Sequence, residues 1–225
     1  MKLLTDYAQW YDDRFDGTGV TFHRTARTRG GLAKREQFQL FERLGLAVPP
    51  HGLIAELATR TGLAREWRCP ATAWQRELEL VVYLDEFQHR GEGKVKLPLA
   101  EALTKYPSHY GSLFIPLANP AVSLRHVRFG RLGFWLRQQG GEDWRSNRAD
   151  HETVLARTQH PEANPIPRVL WAVDFLPAPG GLLAVDFNTA PQLVTLHETG
   201  TLTAEQAHAE LEFTASTNPE WLRQF

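Results

Sequence analysis

The stretch from Val169 to Leu193, VLWAVDFLPAPGGLLAVDFNTAPQL, constrains the fold more than any other part of the chain. Two apolar runs flank Pro177-Ala178-Pro179-Gly180-Gly181. Pro and Gly at these positions set the dihedrals of a tight reversal, so a β-hairpin is predicted with its turn over Pro177–Gly181. Each strand carries an acidic signature: Val173-Asp174-Phe175 and Val185-Asp186-Phe187-Asn188. Asp186 and Asn188 are two apart, so a strand directs both side chains to one face. Asp174, on the partner strand, is within reach of that face. Two carboxylates and an amide oxygen suit a hard cation such as Mg²⁺, which takes oxygen ligands and shares them with phosphates. A hairpin whose polar residues simply face water satisfies the same pattern.

Arginines crowd the region before the hairpin. Leu124 to Leu136 alternates as two short strands reversing near Gly130, and Gly140-Gly141-Glu142-Asp143-Trp144-Arg145-Ser146-Asn147-Arg148 follows. Guanidinium forks suit phosphate and carboxylate groups bidentately. Arg131, Arg137 and Arg148 read as solvated side chains on a sheet surface. Arg125 and Arg145 read as binding groups.

In order along the chain, Leu124-Arg125 to Gly130, Arg145-Ser146-Asn147, Val173-Asp174, and Val185 to Leu193 resemble the C-terminal half of the ATP-grasp fold. The nearest resemblance is to RimK-like glutamate ligases. Upstream, Ala33-Lys34-Arg35 with Phe38, Leu40, Phe41 and Leu44, then Gly45-Leu46-Ala47-Val48-Pro49, looks like that family's opening helix and turn. The resemblance runs from Lys34 to Phe213. It implies an α+β, ATP-grasp-like fold: two α/β lobes with antiparallel sheets around a nucleotide cleft. Residues 1–32 would be an N-terminal segment, 33–112 the first lobe, and 113–225 the second lobe with the metal site. The implied cofactors are ATP and Mg²⁺. The implied activity is an ATP-dependent carboxylate–amine ligase working through an acyl phosphate. Carried over by position, Asp174, Asp186 and Asn188 hold metal, while Lys34, Gly91, Gly93 and Lys94 lie near the phosphates. Phe114 and Ile115 form the adenine hinge. Arg125 and Arg145 hold the carboxylate and stabilise the tetrahedral intermediate, and Asn147 orients a phosphate or the metal's surroundings. An ATP-grasp-type kinase acting on a hydroxyl, and a non-catalytic binding or scaffold protein, are the alternatives.

Three departures from the family pattern stand out. Tyr83 replaces the lysine of a V-V-K strand, in Leu80-Val81-Val82-Tyr83. Lys94 or Lys96, in the glycine-bearing loop His89 to Lys96, is the candidate replacement charge. Asp186 stands where a glutamate is usual, and Pro116 removes one backbone donor from the hinge Leu113–Leu117. The family's further N-terminal α/β domain has no counterpart in the roughly 30 residues before Lys34, too few for such a unit. A partner protein, a homodimer or the chain's own loops would then seat a small-molecule or protein carboxylate or amine substrate.

The 225 residues carry a formal net charge of −1, which argues against a general nucleic-acid-binding surface. No apolar run approaches the length of a membrane span, and Thr5-Asp6 follows the first four residues, so no signal segment is read. The single cysteine, Cys69, excludes an intramolecular disulfide, and a cytoplasmic location is expected. There is no G-x-S-x-G elbow and no Walker loop. No His/Cys spacing suggests zinc, and strand alternation puts His126 on the face opposite Arg125 as a structural residue. Helices are predicted over 32–44, with Phe38, Phe41 and Leu44 facing the core, over 53–61 capped by Gly62, over 98–104, and over 204–213. Thr203 and Gln206 form a capping box before the last. Residues 75–84 read as strand. Residues 147–159 read as helix or loop, and His23 to Gly31 as a basic loop.

Overall fold

A computed structural model of the chain describes residues 32–59, 78–87, 93–116, 121–140, 144, 149–159, 165–189, 191 and 193–222. The elements in order are α1 (Lys34–Arg43), β1 (His51–Leu53), α2 (Ile54–Thr59), β2 (Glu79–Tyr83), β3 (Lys94–Pro98), α3 (Leu99–Lys105), β4 (Tyr110–Leu113), β5 (Val122–Phe129), β6 (Leu132–Gly140), β7 (Ala149–Gln159), β8 (Leu170–Ala178), β9 (Gly181–Asn188), α4 (Val194–Glu198), α5 (Ala204–Thr217) and α6 (Pro219–Leu222). The strands form two sheets, a four-stranded one ordered β1-β4-β2-β3 and a five-stranded one ordered β7-β6-β5-β8-β9. Every pairing between described strands is antiparallel.

Helix α1 forms because its apolar residues recur on one face and its ends are closed. The Ala33 N–H donates to the Glu36 carboxylate at 2.8 Å. Gly45, at φ 70°, takes the left-handed conformation that ends the last turn. Phe38 and Phe41 are fully buried, and they pack with Val173 and Phe187 of the second sheet and Tyr83 of the first. The helix therefore stands at the junction of the two sheets. On its other face the second sheet buries Val127, Phe129, Phe134 and Leu136 against Leu196, Leu202, Ala207 and Leu211. Helix α5 starts at the predicted capping box: the Gln206 N–H donates to Thr203 Oγ1 at 3.3 Å, and the Thr203 N–H to Gln206 Oε1 at 3.1 Å.

Two expectations need correction. The hairpin turn is tighter than Pro177–Gly181. Strand β8 runs through Pro177, which faces Leu182, and Ala178 faces Gly181, leaving Pro179-Gly180 as the loop. The last residue of β8 in register with β5 is Phe175, so the proline lies where no ladder bond to β5 is lost. Residues 149–159, read as helix or loop, form β7, because β6 offers a long edge from Leu132 to Gly140 to pair with. Arg131 is exposed, as read, and is also ion-paired. Its N–H, Nε and Nη2 donate to Glu210, and its guanidinium lies 3.8 Å from the Phe213 ring centroid. That contact fixes the β5–β6 turn to α5. Arg137 matches its surface reading, with Nη1 on Gln139 Oε1 at 2.9 Å. Gly62, Arg148 and the loop His23 to Gly31 lie outside the described residues.

Candidate active site

The hairpin brings its two carboxylates together. Asp174 on β8 sits directly opposite Asp186 on β9, and Asn188 sits opposite Ala172. All three therefore belong to one face. A bulge follows, since Phe175 faces Ala184 and Val185 is left as the extra residue.

Each carboxylate has a cation of its own. Arg125, on the neighbouring strand β5, donates to Asp174 through Nε at 2.6 Å and Nη2 at 3.0 Å, and through Nη1 to Glu152 at 3.4 Å. Glu152 also accepts from Gln138 at 2.7 Å and from Thr195 at 2.9 Å. Burial alone would lower the Arg125 pKa; the Asp174 charge and hydrogen bonds outweigh it and raise it. Lys34, at the start of α1, ion-pairs with Asp186 and donates to Gln37 Oε1 at 3.1 Å and to the Val185 carbonyl at 3.0 Å. Burial opposes its charge too, yet Asp186 with Tyr83 and Asp174 holds its pKa above the ordinary lysine value.

Lys34, Asp174 and Asp186 line a cleft whose other wall is the first sheet: Val81 and Tyr83 of β2, Ser112 of β4, and Phe114 and Ile115 beyond it. Tyr83 is buried, and its hydroxyl lies 3.0 Å from Ser112 Oγ. Burial pushes its pKa up, against the pull of Lys34. The Lys34 ammonium lies 5.6 Å from the Tyr83 ring centroid. A cation from α1 thus stands beside Tyr83, the position where a lysine is expected. At the mouth, Lys94 lies 5.6 Å from the Trp144 ring centroid, and Trp144 meets Phe114 edge-on at 5.9 Å. Lys96 pairs with Glu79 at 3.1 Å and lies over the Phe114 ring at 4.5 Å.

The structure thus gathers Lys34, Lys94, Phe114, Ile115, Asp174 and Asp186 in one place. Gly93 lies at the base of the β2–β3 connection, at φ 62°, and its carbonyl accepts from the Leu84 and Asp85 N–H groups. Arg125 stands behind Asp174, its donors turned to protein carboxylates, so its observed part is to fix Asp174. Arg145, Asn147 and Gly91 lie outside the described residues. His126 matches its structural reading, stacked on Trp135 at 4.7 Å. Sequence reading missed Gln37, Ser112, Trp144 and Glu152. Gln37 had a signal: Lys34, Gln37, Phe38 and Phe41 share one helical face, so two polar residues stand in an apolar stripe.

The donors are of the right chemistry for a hard divalent cation: two carboxylates and an amide on one face. Among the described residues no group of three or more His, Cys, Asp or Glu side chains gathers around one point. Two antiparallel sheets flank a cleft into which a helical lysine and a hairpin's acid pair converge. The fold is α+β, two antiparallel sheets with helices packed on them. No family model matches the chain, and no curated protein matches it in sequence. The similarities found are to solved structures, in backbone path. A RimK domain ATP-grasp protein of Sphaerobacter thermophilus matches 84% of this chain and 70% of its own, at 14% identity and a TM-score of 0.44. The macrocyclase MdnB of Microcystis aeruginosa matches 79% of this chain and 58% of its own, at 17% identity and a TM-score of 0.42. A RiPP-associated ATP-grasp ligase of Chryseobacterium gregarium, solved with ADP and a leader and core peptide, matches 79% of this chain and 56% of its own, at 13% identity and a TM-score of 0.47. This chain therefore spans less than two thirds of the last two. Among the described residues no helix is long and apolar enough to cross a membrane.

The start of α1 is tied to the β2–β3 connection. The Lys34 N–H donates to the Glu86 carbonyl at 3.1 Å, and Arg35 Nε to the Glu86 carboxylate at 2.9 Å. The Arg35 hydrogen bonds hold the Glu86 carboxyl below its ordinary value. A depressed carboxyl pKa adds stability above the unfolded value, about 4.3, and that gain is lost as pH falls through the folded value. Arg35 is half exposed, so the effect is expected to stay under about 1 kcal/mol. Urea midpoints of wild type and Glu86→Gln should differ at pH 7 and draw together as pH falls below the unfolded value, about 4.3, and through the lower folded one.

Proposed function

We propose that this chain binds ATP with Mg²⁺ in the cleft and is an ATP-dependent carboxylate–amine ligase. The observation that carries the reading is the convergence of Lys34, Asp174 and Asp186, from three separate elements, on one cleft with an aromatic mouth. The lobes of the reading are residues 33–112 and 113–225. Adenine lies against Phe114. Within the hinge the Phe114 N–H is committed to the Glu79 carbonyl at 2.9 Å and Pro116 has none, so Ile115 offers the backbone donor. Asp174, Asp186 and Asn188 hold Mg²⁺, which when bound neutralises phosphate charge and orients the terminal phosphate. Lys34, Gly91, Gly93 and Lys94 lie by the phosphates.

A carboxylate is a poor electrophile because its leaving group would be oxide. Attack of one carboxylate oxygen on the terminal phosphorus breaks the bond to the bridging oxygen, releases ADP and leaves an acyl phosphate. An amine then attacks the acyl carbon, phosphate departs, and the nitrogen gives up a proton to yield the amide. Arg145 serves the carboxylate and the negative charge of the tetrahedral intermediate, as a preorganised donor does, and Asn147 orients a phosphate or the metal's surroundings. Arg125 serves by holding Asp174. A peptide-borne carboxylate or amine is one substrate class to test, as the Chryseobacterium gregarium ligase was solved with peptides.

Calorimetry with ATP and Mg²⁺ on wild type and Asp186→Asn tests the cleft. ADP release with pools of amino acids, amines and peptides tests the chemistry. Wild type is expected to bind ATP and to release ADP only with an acceptor present. Asp186→Asn is expected to lose about 100-fold in rate, the scale of one lost electrostatic contact at a reacting centre. Equal ATP binding by the two proteins would remove Asp186 from the site. A stable phosphoester product in place of an amide would mean a kinase.

A further inference from the structure

An ammonium has three N–H donors, and in Lys34 all three are engaged, by Gln37 Oε1, the Val185 carbonyl and Asp186. Lys34 therefore reaches a ligand only by giving up a partner. Two of the three are fixed. Gln37 Oε1 also accepts the Phe187 N–H at 2.9 Å, while Gln37 Nε2 donates to the Leu32 carbonyl at 2.8 Å. The Val185 carbonyl is backbone, placed by the bulge beside Asp186. Asp186 is the partner that can be exchanged. Its side chain is 26% exposed against 7% for Lys34, so it opens to the cleft while the lysine approaches from the protein interior.

We propose that Lys34 is the resident counter-ion of Asp186, and that a divalent cation binds at Asp186 by displacing the Lys34 ammonium. This rests on the reading of Asp186 as a metal-binding carboxylate. The charges explain why a resident cation is needed. Asp174 and Asp186 face each other across paired strands, and Arg125 already balances Asp174. With Lys34 removed, Asp186 would stand beside a second carboxylate without the ammonium that now bonds it; with a dication present, the ammonium is surplus. The exchange is reciprocal: each occupant weakens the hold of the other. It also turns loose, at the phosphate end of the cleft, an ammonium anchored by Gln37. Cation entry would thus free Lys34 for the ligand.

Mn²⁺ alone is the probe. Its binding is followed by electron paramagnetic resonance in wild type, Lys34→Met, Asp186→Asn and the double variant. Separately, the reactivity of Lys34 in wild type towards acetic anhydride is read by peptide mass spectrometry with and without Mn²⁺. Lys34→Met is expected to bind Mn²⁺ at least about tenfold more tightly than wild type, as removing a competing state raises apparent affinity. Asp186→Asn is expected to abolish the binding in both backgrounds, and Lys34 labelling to rise with Mn²⁺. Equal affinity in wild type and Lys34→Met, with Asp186→Asn still abolishing it, would overturn the exchange while leaving the metal reading intact. Binding that survives Asp186→Asn, or no binding by any of the proteins, would overturn the metal reading and the exchange together. If Lys34→Met does not fold, labelling of wild type decides: no change at saturating Mn²⁺ overturns the exchange.

Discussion

Arg125→Met is expected to lower the stability of the protein by about 3–5 kcal/mol, the scale of breaking a buried ion pair from one side. Asp174 is 3% exposed and takes both of its oxygens' bonds from Arg125. Without the guanidinium it is a buried carboxylate next to a second one. Glu152 loses less, because Gln138 and Thr195 still donate to it. Replacing both partners with apolar residues, Arg125→Met with Asp174→Leu, is expected to recover much of the loss, since the desolvation cost of the remaining charge disappears. Urea unfolding of the two single variants and the double gives the coupling. A loss below about 1 kcal/mol in Arg125→Met, the range of exposed pairs, would mean that solvent reaches Asp174.

Phe38→Ala is expected to cost about 3–5 kcal/mol, the range for deleting a fully buried aromatic ring. Phe38 has no exposed surface, stacks on His51 at 4.5 Å and meets Phe41 edge-on at 6.3 Å. It also lies one helical turn after Lys34, on the same face of α1, so the loss is not confined to stability. A loosened α1 holds its lysine less firmly at the cleft. ATP affinity is therefore expected to fall in Phe38→Ala at temperatures where the protein remains folded, as read by calorimetry. A large drop in unfolding temperature with unchanged ATP affinity would separate the core from the cleft.

The hairpin and the first helix were legible because their information is local. Pro179-Gly180 dictates a reversal whatever surrounds it, and alternation through Val173-Asp174-Phe175 and Val185 to Asn188 fixes which residues share a face. The stripe of Phe38 and Phe41 fixed the buried side of α1, and the Thr203–Gln206 box fixed the start of α5. β7 was not legible. Its residues favour strand only once β6 provides an edge, and pairing energy is not written in the paired segment. Glu152, which steadies Arg125, was hidden with it.

By itself, then, the sequence determined local faces: Asp186 and Asn188 to one side of β9, and Lys34 to the side of α1 that carries Phe38; the bulge at Val185 is what brings Asp174 opposite Asp186. Only the tertiary structure decided what those charges meet. Arg125 lies 49 residues from Asp174, and Lys34 lies 152 from Asp186. A charge's partner is chosen by the packing that excludes water around it, because an unpaired buried charge is too costly to persist. Burial of Phe38, Phe41 and Phe187 at the junction of the sheets sets Lys34 against Asp186. The order of strands in the second sheet sets Arg125 against Asp174, since β5 becomes the neighbour of β8 only when the long-range ladder forms.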